Sequence, residues 1–249
     1  MRRSAAVGML ALILAIGTSA SSSVNAAQLN PPLADVFSFD YPDPWPGFFL
    51  TYGAGDKARA NLKDTGYTAF NNRNKSAGTA MTWAKDDAVW AFFGHARPGG
   101  VLFYHGDGTS YSELLANSDM TVIKSGVAKV SLSSYTWNDL HDLRLMVFAG
   151  CNTAKDGKPG SLDDGNLSRV AFIRKGVDST IAFQGLVHWP VINGWGDAFF
   201  ARLRMGDTVN QAAQMAVSMM IYSYGWEGGF DSWWTIGGTL KIKPAGYGS

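Results

Sequence analysis

AVWAFFGHA occupies residues 88–96 and LRLMVFAGCN occupies residues 143–152. Each stretch is an apolar run, nearly unbroken, that ends at a glycine followed by a histidine or a cysteine. Apolar runs without polar alternation are typical of strands buried on both faces, as in a parallel sheet covered by helices. The two stretches therefore predict an α/β fold with a mostly parallel central sheet.

Strands alternate with helices across residues 88–205, which favours a single α/β domain over residues 27–249. We predict helices at 56–65, 167–175, 194–204 and 208–222, and further strands at 101–104 and 179–183. Residues 112–116 are predicted to form a helical turn. Residues 121–136 alternate enough to predict a hairpin.

The two ends of this domain carry their own signals. Five prolines between residues 27 and 47 exclude a regular helix, so we predict an extended N-terminal arm, rich in Pro and aromatic residues, that packs onto the domain. Near the C-terminus, two glycines at 237–238 separate the short runs 233–236 and 239–242. A two-residue Gly-Gly connection of this kind predicts a C-terminal hairpin.

Residues 1–26 have the pattern of a secretory signal peptide. Arg2 and Arg3 give a basic start, an apolar run covers residues 5–16, and small residues precede the expected cleavage point. The run is too short to span a bilayer, which needs about 20 apolar residues. We therefore predict export, to the periplasm or the extracellular medium, and no stable membrane span after the signal is removed.

Composition excludes several classes of function. The 21 Lys and Arg residues balance the 20 Asp and Glu residues, and no basic cluster is present, so nucleic acid is not an expected partner. A single cysteine excludes an internal disulfide framework. The chain has no HExxH or CxxC motif and no GxSxG elbow, so the usual zinc and serine-hydrolase signatures are missing.

His95 and Cys151 occupy equivalent positions, each just beyond a predicted strand. Sites in open parallel sheets form at the carboxyl ends of the strands, so neighbouring strands would bring thiol and imidazole to one edge. A free thiol, with a pKa near ~8.5, is mostly protonated at neutral pH, and a nearby imidazole can take its proton. Taken alone, such a cysteine is more often a small buried hydrophobe and such a histidine a turn residue. The shared position favours a catalytic pair.

The order of these motifs resembles the caspase-like (clan CD) cysteine peptidases, with CHAT-type and gingipain-like peptidases as the nearest members. The resemblance covers about residues 85–220. Its segments are the strand into Gly94-His95, the strand into Gly150-Cys151, the helix at 166–176, the strand and Trp-x-Val segment at 180–191, and the helix pair at 199–216.

The resemblance implies a caspase-like α/β/α sandwich and a Cys–His dyad that hydrolyses peptide bonds. Cys151 would attack the peptide carbonyl, and His95 would protonate the leaving amine. Backbone N–H groups in the turns at Gly94, Ala96 and Gly150 would stabilise the oxyanion. Many relatives carry His-Gly where this chain has His95-Ala96, a difference that falls on the oxyanion-donating turn.

Four side chains are candidate substrate contacts: Asp163, Asp164, Asp197 and Trp189. The carboxylates could receive a basic side chain, and the tryptophan could flank the site. The acidic loop at 155–166 could also hold calcium, a cation that some members of the resembled family use. Lys158 breaks the EF-hand pattern, however, so we expect a solvated loop, no metal site and no cofactor.

We therefore predict an exported cysteine endopeptidase that acts on peptide or protein substrates. The alternative is a catalytically inert, secreted binding protein on the same fold, which recognises a peptide or a glycan through its aromatic loops. The reactivity of the Cys151 thiol in the folded protein distinguishes these two hypotheses.

Overall fold

The computed structural model describes residues 31–41, 49–107, 109–118, 120, 127–157, 165–225 and 233–242. Its strands are β1 (Leu33–Ser38), β2 (Asp40–Tyr41), β3 (Phe49–Leu50), β4 (Thr68–Arg73), β5 (Val89–Phe93), β6 (Ala96–Arg97), β7 (Gly100–Tyr104), β8 (Tyr111–Leu115), β9 (Ala128–Ser131), β10 (Leu145–Ala149), β11 (Thr180–Phe183) and β12 (Trp233–Ile236). Its helices are α1 (Tyr52–Asp64), α2 (Ala77–Trp83), α3 (Trp137–Leu140), α4 (Leu167–Arg169, continued by a π-helical segment Val170–Arg174), α5 (Trp189–Arg204) and α6 (Val209–Tyr224). A 3₁₀ turn, Leu132–Ser134, follows β9.

The centre of the molecule is a six-stranded sheet in the order β12-β11-β10-β5-β1-β4. β4, β1, β5, β10 and β11 run parallel, and β12 joins the edge antiparallel to β11. This confirms the predicted α/β fold with a mostly parallel sheet. It also makes β5 and β10 direct neighbours, which the sequence alone could not establish.

Both faces of the sheet are covered, and β5 shows how. Val89, Ala91 and Phe93 pack into a cluster with α1, α5 and α6. Trp90 and Phe92 pack on the opposite face. All five side chains are fully buried. Successive residues point to opposite faces, so a strand with apolar neighbours on both sides needs no polar alternation.

The second layer is built from aromatic residues. A four-stranded sheet in the order β6-β7-β8-β9, together with α2 and α4, covers the face opposite α1. Phe103 of β7 packs on Phe92 with ring centroids 5.0 Å apart, and Phe148 of β10 packs on Trp90 at 5.7 Å. β6 begins one residue after His95, so this layer is continuous with the candidate site.

The predicted helices at 56–65, 167–175, 194–204 and 208–222 are all present, with boundaries shifted by a few residues. Thr208 begins α6 through a capping box: its hydroxyl accepts the Gln211 N–H at 3.2 Å, and the Gln211 side chain accepts the Thr208 N–H at 3.0 Å. Within the described ranges, none of the helices combines the length and the apolar character that crossing a bilayer would require.

The predicted N-terminal arm is wrong where the structure describes it. Residues 33–38 form β1, an interior strand of the main sheet between β4 and β5. Two prolines precede this segment and three follow it, so the six residues between them are free to pair on both sides. The flanking prolines hide this strand in the sequence pattern of residues 27–47.

The predictions for residues 112–116 and 127–136 also need correction. Residues 111–115 form β8 rather than a helical turn, because they are paired on both sides, with β7 and with β9. Of the hairpin predicted at 121–136, the described part contains one strand, β9, which runs parallel to β8, and the 3₁₀ turn Leu132–Ser134. Residues 121–126 of that predicted hairpin lie outside the described residues.

The C-terminal hairpin is also absent from the described residues 233–242. β12 pairs with β11, and residues 239–242 form no strand. The Leu240 carbonyl instead accepts the Val209 N–H at 2.9 Å, and the Gly238 carbonyl accepts the Asn210 N–H at 2.8 Å. These are amides of the first turn of α6, which have no partner within their own helix, and the tail satisfies them.

Candidate active site

His95 and Cys151 follow adjacent strands at the same register. Phe93 of β5 is the partner of Ala149 of β10, and each functional residue comes two positions after its member of that pair. The Gly94 N–H donates to the Ala149 carbonyl at 3.1 Å, which extends the pairing to the point where the chains turn. Both residues therefore lie beyond the carboxyl end of the sheet, where sites form in parallel α/β folds.

The two strand ends touch because both turns contain glycine. A Cβ at Gly150 would lie 2.7 Å from the Ala96 Cβ and 2.7 Å from the Gly94 carbonyl oxygen. A Cβ at Gly94 would overlap the Tyr41 hydroxyl and lie 2.7 Å from the Phe92 ring. No real side chain tolerates such contacts, so the approach of the two turns depends on glycine at both positions.

The main chain of His95 is fixed on both sides by hydrogen bonds. Its carbonyl accepts the Leu102 N–H at 2.9 Å. Its N–H donates to the Tyr41 hydroxyl at 3.1 Å, and that hydroxyl donates to the Leu102 carbonyl at 2.5 Å. The Tyr41 hydroxyl thus lies between the His95 N–H and the Leu102 carbonyl, which would bond each other directly in a regular antiparallel ladder. Burial raises the pKa of Tyr41 well above its ordinary value, so the hydroxyl keeps the proton that this bridge requires.

The imidazole of His95 is largely buried. The Tyr41 ring packs against it edge-on, with ring centroids 4.4 Å apart and an angle of 66° between the planes. Burial lowers the pKa of His95 from 6.5 to about 4, because the charged form loses its hydration. At neutral pH the ring is therefore uncharged, and a neutral imidazole can accept a proton.

The residue after His95 directs a backbone amide toward the turn that carries Cys151. Ala96 is paired with Val101 in the β6–β7 ladder, one residue from the bonded pair formed by His95 and Leu102. Bonded and non-bonded pairs alternate along an antiparallel ladder, so the Ala96 N–H points away from β7. Its nitrogen would be 3.6 Å from a Cβ at Gly150.

The sulfur of Cys151 is half-buried and contacts the loop between β11 and α5. The Val187 N–H donates to Sγ at 3.3 Å, and the thiol lies 3.5 Å from the Val187 carbonyl oxygen. The same side chain packs at the margin of the cluster formed with α1, α5 and α6. Cys151 is thus held at the end of the sheet with partial exposure to solvent.

The turn that presents Cys151 is held by the two residues after it. Asn152 has a φ of 55°, in the left-handed region, and its N–H donates to the Gly185 carbonyl at 2.9 Å. The buried Thr153 hydroxyl donates toward the Phe148 carbonyl at 2.8 Å and accepts the Phe183 N–H at 3.0 Å. The turn is therefore bonded to β11, the next strand of the sheet.

The predicted substrate residues divide into three groups. Trp189 begins α5 two residues after Val187 and is 42% exposed, so it lies in the same loop region as the thiol. Asp197 lies two turns further along α5 and forms an ion pair with Lys57 of α1 at 2.8 Å. Asp163 and Asp164 lie outside the described residues. Among the residues that are described, no group of three or more His, Cys, Asp or Glu is arranged to hold a metal ion.

The residues that position the pair have no direct signature in the sequence. Tyr41 lies in the predicted arm, and its partner Leu102 is 61 residues away along the chain. Thr153 carried a weak signal, since a threonine just after a strand often bonds to nearby backbone groups. Val187 acts through its peptide group, which no side-chain pattern reveals.

No protein-family model matches this chain, and no curated protein matches it. Solved structures do match its fold. Gingipain R, an Arg-specific cysteine proteinase, has a TM-score of 0.56 at 13% identity, over 84% of this chain and 46% of that chain. The fold is caspase-like.

Two further solved structures are similar to this chain. The complex of the pro- and mature domains of RgpB from Porphyromonas gingivalis has a TM-score of 0.50 at 12% identity, over 85% of this chain and 48% of that chain. Caspase-1 from Spodoptera frugiperda has a TM-score of 0.46 at 13% identity, over 83% of this chain and 86% of that chain. This chain spans about half the length of the gingipain chains that it matches. That the CHAT-type peptidases are among the members nearest to this chain stays a prediction.

Proposed function

We propose that this chain hydrolyses peptide bonds as a cysteine peptidase, with Cys151 as the nucleophile and His95 as the group that moves the proton. The observation that carries the proposal is the shared register of the two residues, two positions beyond a paired Phe93 and Ala149 on adjacent parallel strands. This register supports the proposal because a thiol and an imidazole from distant parts of the chain follow neighbouring strands at one edge of the sheet, as a nucleophile and its base require.

The neutral imidazole determines how the reaction begins. Because burial lowers the pKa of His95 to about 4, the ring starts as a base rather than as half of an ion pair. It takes the thiol proton as the sulfur attacks the carbonyl carbon of the scissile bond. The same proton then passes to the leaving amine as the C–N bond breaks, leaving an acyl group on Cys151. Water hydrolyses this thioester, with His95 again as the base.

Backbone amides supply stabilisation for the oxyanion. The His95 N–H donates to the Tyr41 hydroxyl, which leaves the next amide, that of Ala96, to face the Gly150 turn. Together with the Cys151 amide it would provide two donors on the thiol side of the sheet edge. An amide donor does not depend on the side chain, so alanine in place of the family's glycine is compatible with this role.

Peptide substrates are proposed from the fold, and the proposal names no preferred residue. Gingipain R is described as Arg specific. In this chain Asp197 is already paired with Lys57, so its carboxylate is neutralised within the protein. A test of activity should therefore include peptides with basic, acidic and apolar residues.

The test is incubation of the folded protein with a mixed peptide library, followed by mass spectrometry of the products. Wild-type protein should generate new termini, and Cys151→Ser should generate none. Serine can keep the contacts with the Val187 peptide, so its loss of activity would report on the thiol and not on the fold. Equal cleavage by both proteins would contradict the proposal, because it would indicate a contaminating peptidase.

Absence of cleavage by every protein, together with a thiol that iodoacetamide modifies only after denaturation, would favour the inert binding protein. In that case the half-buried sulfur and its contacts with Val187 would be structural.

Export is part of the proposal and rests on the sequence of residues 1–26. Expression of the full chain in a bacterial host, followed by N-terminal sequencing of the periplasmic fraction, should give a protein that begins at Ala27. Retention of Met1 in the cytoplasmic fraction would contradict export.

A further inference from the structure

An open cleft of about 280 Å³ lies at the end of the sheet opposite His95 and Cys151. It is formed near the start of β1, by β4, by the end of α2 and by the turn before β5. Its lining includes Asp35, Phe70, Asn72, Trp83, Asp86 and Asp87. The mechanism proposed above uses none of them.

The floor of the cleft holds two carboxyl groups in contact with each other. Asp87 is 1% exposed, and apart from the contact with the Asp35 carboxyl neither of its carboxylate oxygens has a hydrogen-bond partner in the described residues. Asp35 is 8% exposed and accepts the Asn72 Nδ2–H at 2.6 Å. Burying a carboxylate without a hydrogen-bond donor costs free energy. A ligand that donates a hydrogen bond to Asp87 would offset that cost.

The two carboxyl groups retain a proton when the cleft is empty. Burial, and then the neighbouring charge of Asp35, raise the pKa of Asp87 well above its ordinary value. Burial also raises the pKa of Asp35. Two carboxylates in contact cannot both ionise readily, so one proton is shared between them.

No basic side chain among the described residues neutralises this pair. The titratable groups that face Asp87 are Asp35 from β1 and Asp86 from the preceding turn. β4 contributes the amide of Asn72, and α2 contributes Trp83. Lys85 is close along the chain, but its ammonium bonds Asp139 at 2.7 Å.

The walls of the cleft are aromatic. Phe70, on the edge strand β4, is 49% exposed, and Trp83 is half-buried and stacked on Phe37 with centroids 6.2 Å apart. Aromatic faces attract organic cations and cover the apolar stem of such a ligand. The described carboxylates are not arranged as a metal-holding group, which favours an organic cation over a metal ion.

We propose that this cleft binds a small organic cation, an alkylammonium or an alkylguanidinium, with its charged head at Asp35 and Asp87 and its apolar stem between Phe70 and Trp83. Binding ionises the shared carboxyl, and its proton leaves to solvent. The ligand then supplies the donors that Asp87 lacks in the empty cleft.

Isothermal titration calorimetry of the full chain tests this with three probes: n-butylamine, n-butylguanidine and 1-butanol. The two cations should bind, and the neutral alcohol of similar size should bind at least about tenfold more weakly. The ratio between the two cations identifies the preferred head group. Their affinity should rise as the pH is raised from 6 to 8, because a proton is displaced.

Asp87→Asn should weaken both cations by about tenfold or more, since it removes the charge and keeps the shape. Asp64→Asn is the matched control: it removes an exposed carboxylate at the end of α1 and should leave both affinities unchanged. Asp35→Asn is the second variant if Asp87→Asn does not fold.

Three results would overturn the proposal: no binding of either cation by the wild-type protein, equal binding of 1-butanol, or unchanged affinity in the folded aspartate variant. Alkylation of Cys151 should be the same in Asp87→Asn and in wild type. The cation-site proposal can therefore be contradicted while the peptidase proposal stands. The peptidase proposal can likewise be contradicted while the cation-site proposal stands.

Discussion

The ends of β5 and β10 carry the two side chains of the proposed dyad, and these ends are built differently. At the end of β5, the His95 main chain is bonded on one side to Leu102 and on the other to Tyr41, and its ring is largely buried. At the end of β10, Cys151 lies on a tight turn, half-buried, and its sulfur contacts the Val187 peptide. The proposed base is thus held through its main chain in a largely buried position, whereas the proposed nucleophile is partly open to solvent.

The difference has a chemical consequence. A dry pocket keeps the imidazole neutral, so it can take a proton when the thiol attacks. A half-exposed thiol can be reached by a carbonyl carbon. Burying the thiol would close it to a substrate, and protonating the imidazole would leave the thiol without a base, so both changes would oppose the proposed reaction.

The largest expected effect comes from Gly150→Ala, which disrupts the contact between the two strand ends. The added Cβ would meet the Ala96 Cβ and the Gly94 carbonyl at 2.7 Å each, and the backbone cannot yield easily. We expect a loss of about 3 kcal/mol in the free energy of unfolding and loss of peptidase activity. Urea denaturation and the library assay measure these.

The matched control is Gly53→Ala in the first turn of α1. A Cβ there meets nothing within 4 Å. Alanine is favoured over glycine in a helix, so this variant should be unchanged or more stable by about 0.5 kcal/mol. A folded and active Gly150→Ala would show that the two turns are not in tight contact.

Acid should destabilise the β5 end through His95. The pKa of His95 is lowered to about 4 in the folded protein, against 6.5 for an unperturbed histidine. The unfolded chain therefore binds the proton first, and stability falls as the pH drops from about 6.5 to 4. We expect this histidine to account for on the order of 2 kcal/mol of that loss, allowing for its partial exposure.

Urea denaturation of wild type and His95→Gln at pH 7.5 and pH 4.5 measures this contribution. The wild type should lose more stability than the variant between the two pH values. NMR titration of the His95 imidazole should give a pKa near 4. A value near 6.5 would mean that the ring is hydrated and that the two strand ends do not differ in this way.

The turn at Cys151 should depend on Thr153. Thr153→Val removes a buried hydroxyl that bonds the Phe148 carbonyl and the Phe183 N–H, and it leaves both without that partner. We expect a loss of about 2 kcal/mol in stability. Peptidase kcat should fall by more than KM rises, because the nucleophile is displaced.

Thr153→Ser keeps the hydroxyl and is the matched control for this variant. It should recover most of the stability and kcat, losing only a methyl contact. Equal behaviour of the valine and serine variants would show that Thr153 acts through packing and not through its hydrogen bonds.

The smallest expected effect is that of Tyr41→Phe at the β5 end. The variant removes the hydroxyl between the His95 N–H and the Leu102 carbonyl, which can then partly bond each other. We expect a loss of about 1 kcal/mol. The His95 amide should shift in the NMR spectrum, and an unchanged spectrum would contradict the bridging role.

The sequence was sufficient to predict the parallel sheet and the positions of His95 and Cys151 just beyond β5 and β10. An apolar run without alternation requires burial on both faces, and Gly94 and Gly150 mark where such runs end. It was not sufficient for β1, because prolines on both sides of residues 33–38 give a pattern typical of an extended arm rather than of an interior strand. It was not sufficient for β8 either, since YSELL at 111–115 becomes a strand only through pairing on both edges.

The supporting residues of the site could not be predicted for a related reason. Tyr41 bonds a residue 61 positions away, and Val187 acts through its peptide on a sulfur 36 positions away. Such contacts depend on how loops from separate strands meet. Local periodicity carries no information about that.

The most direct test of the account is the rate at which iodoacetamide alkylates Cys151 in the folded protein at pH 7, compared between wild type and His95→Gln. If the imidazole takes the thiol proton, wild type should react at least about tenfold faster than the variant, while both react equally after denaturation. Equal rates in the two folded proteins, or no reaction before denaturation, would contradict the pairing of Cys151 with His95.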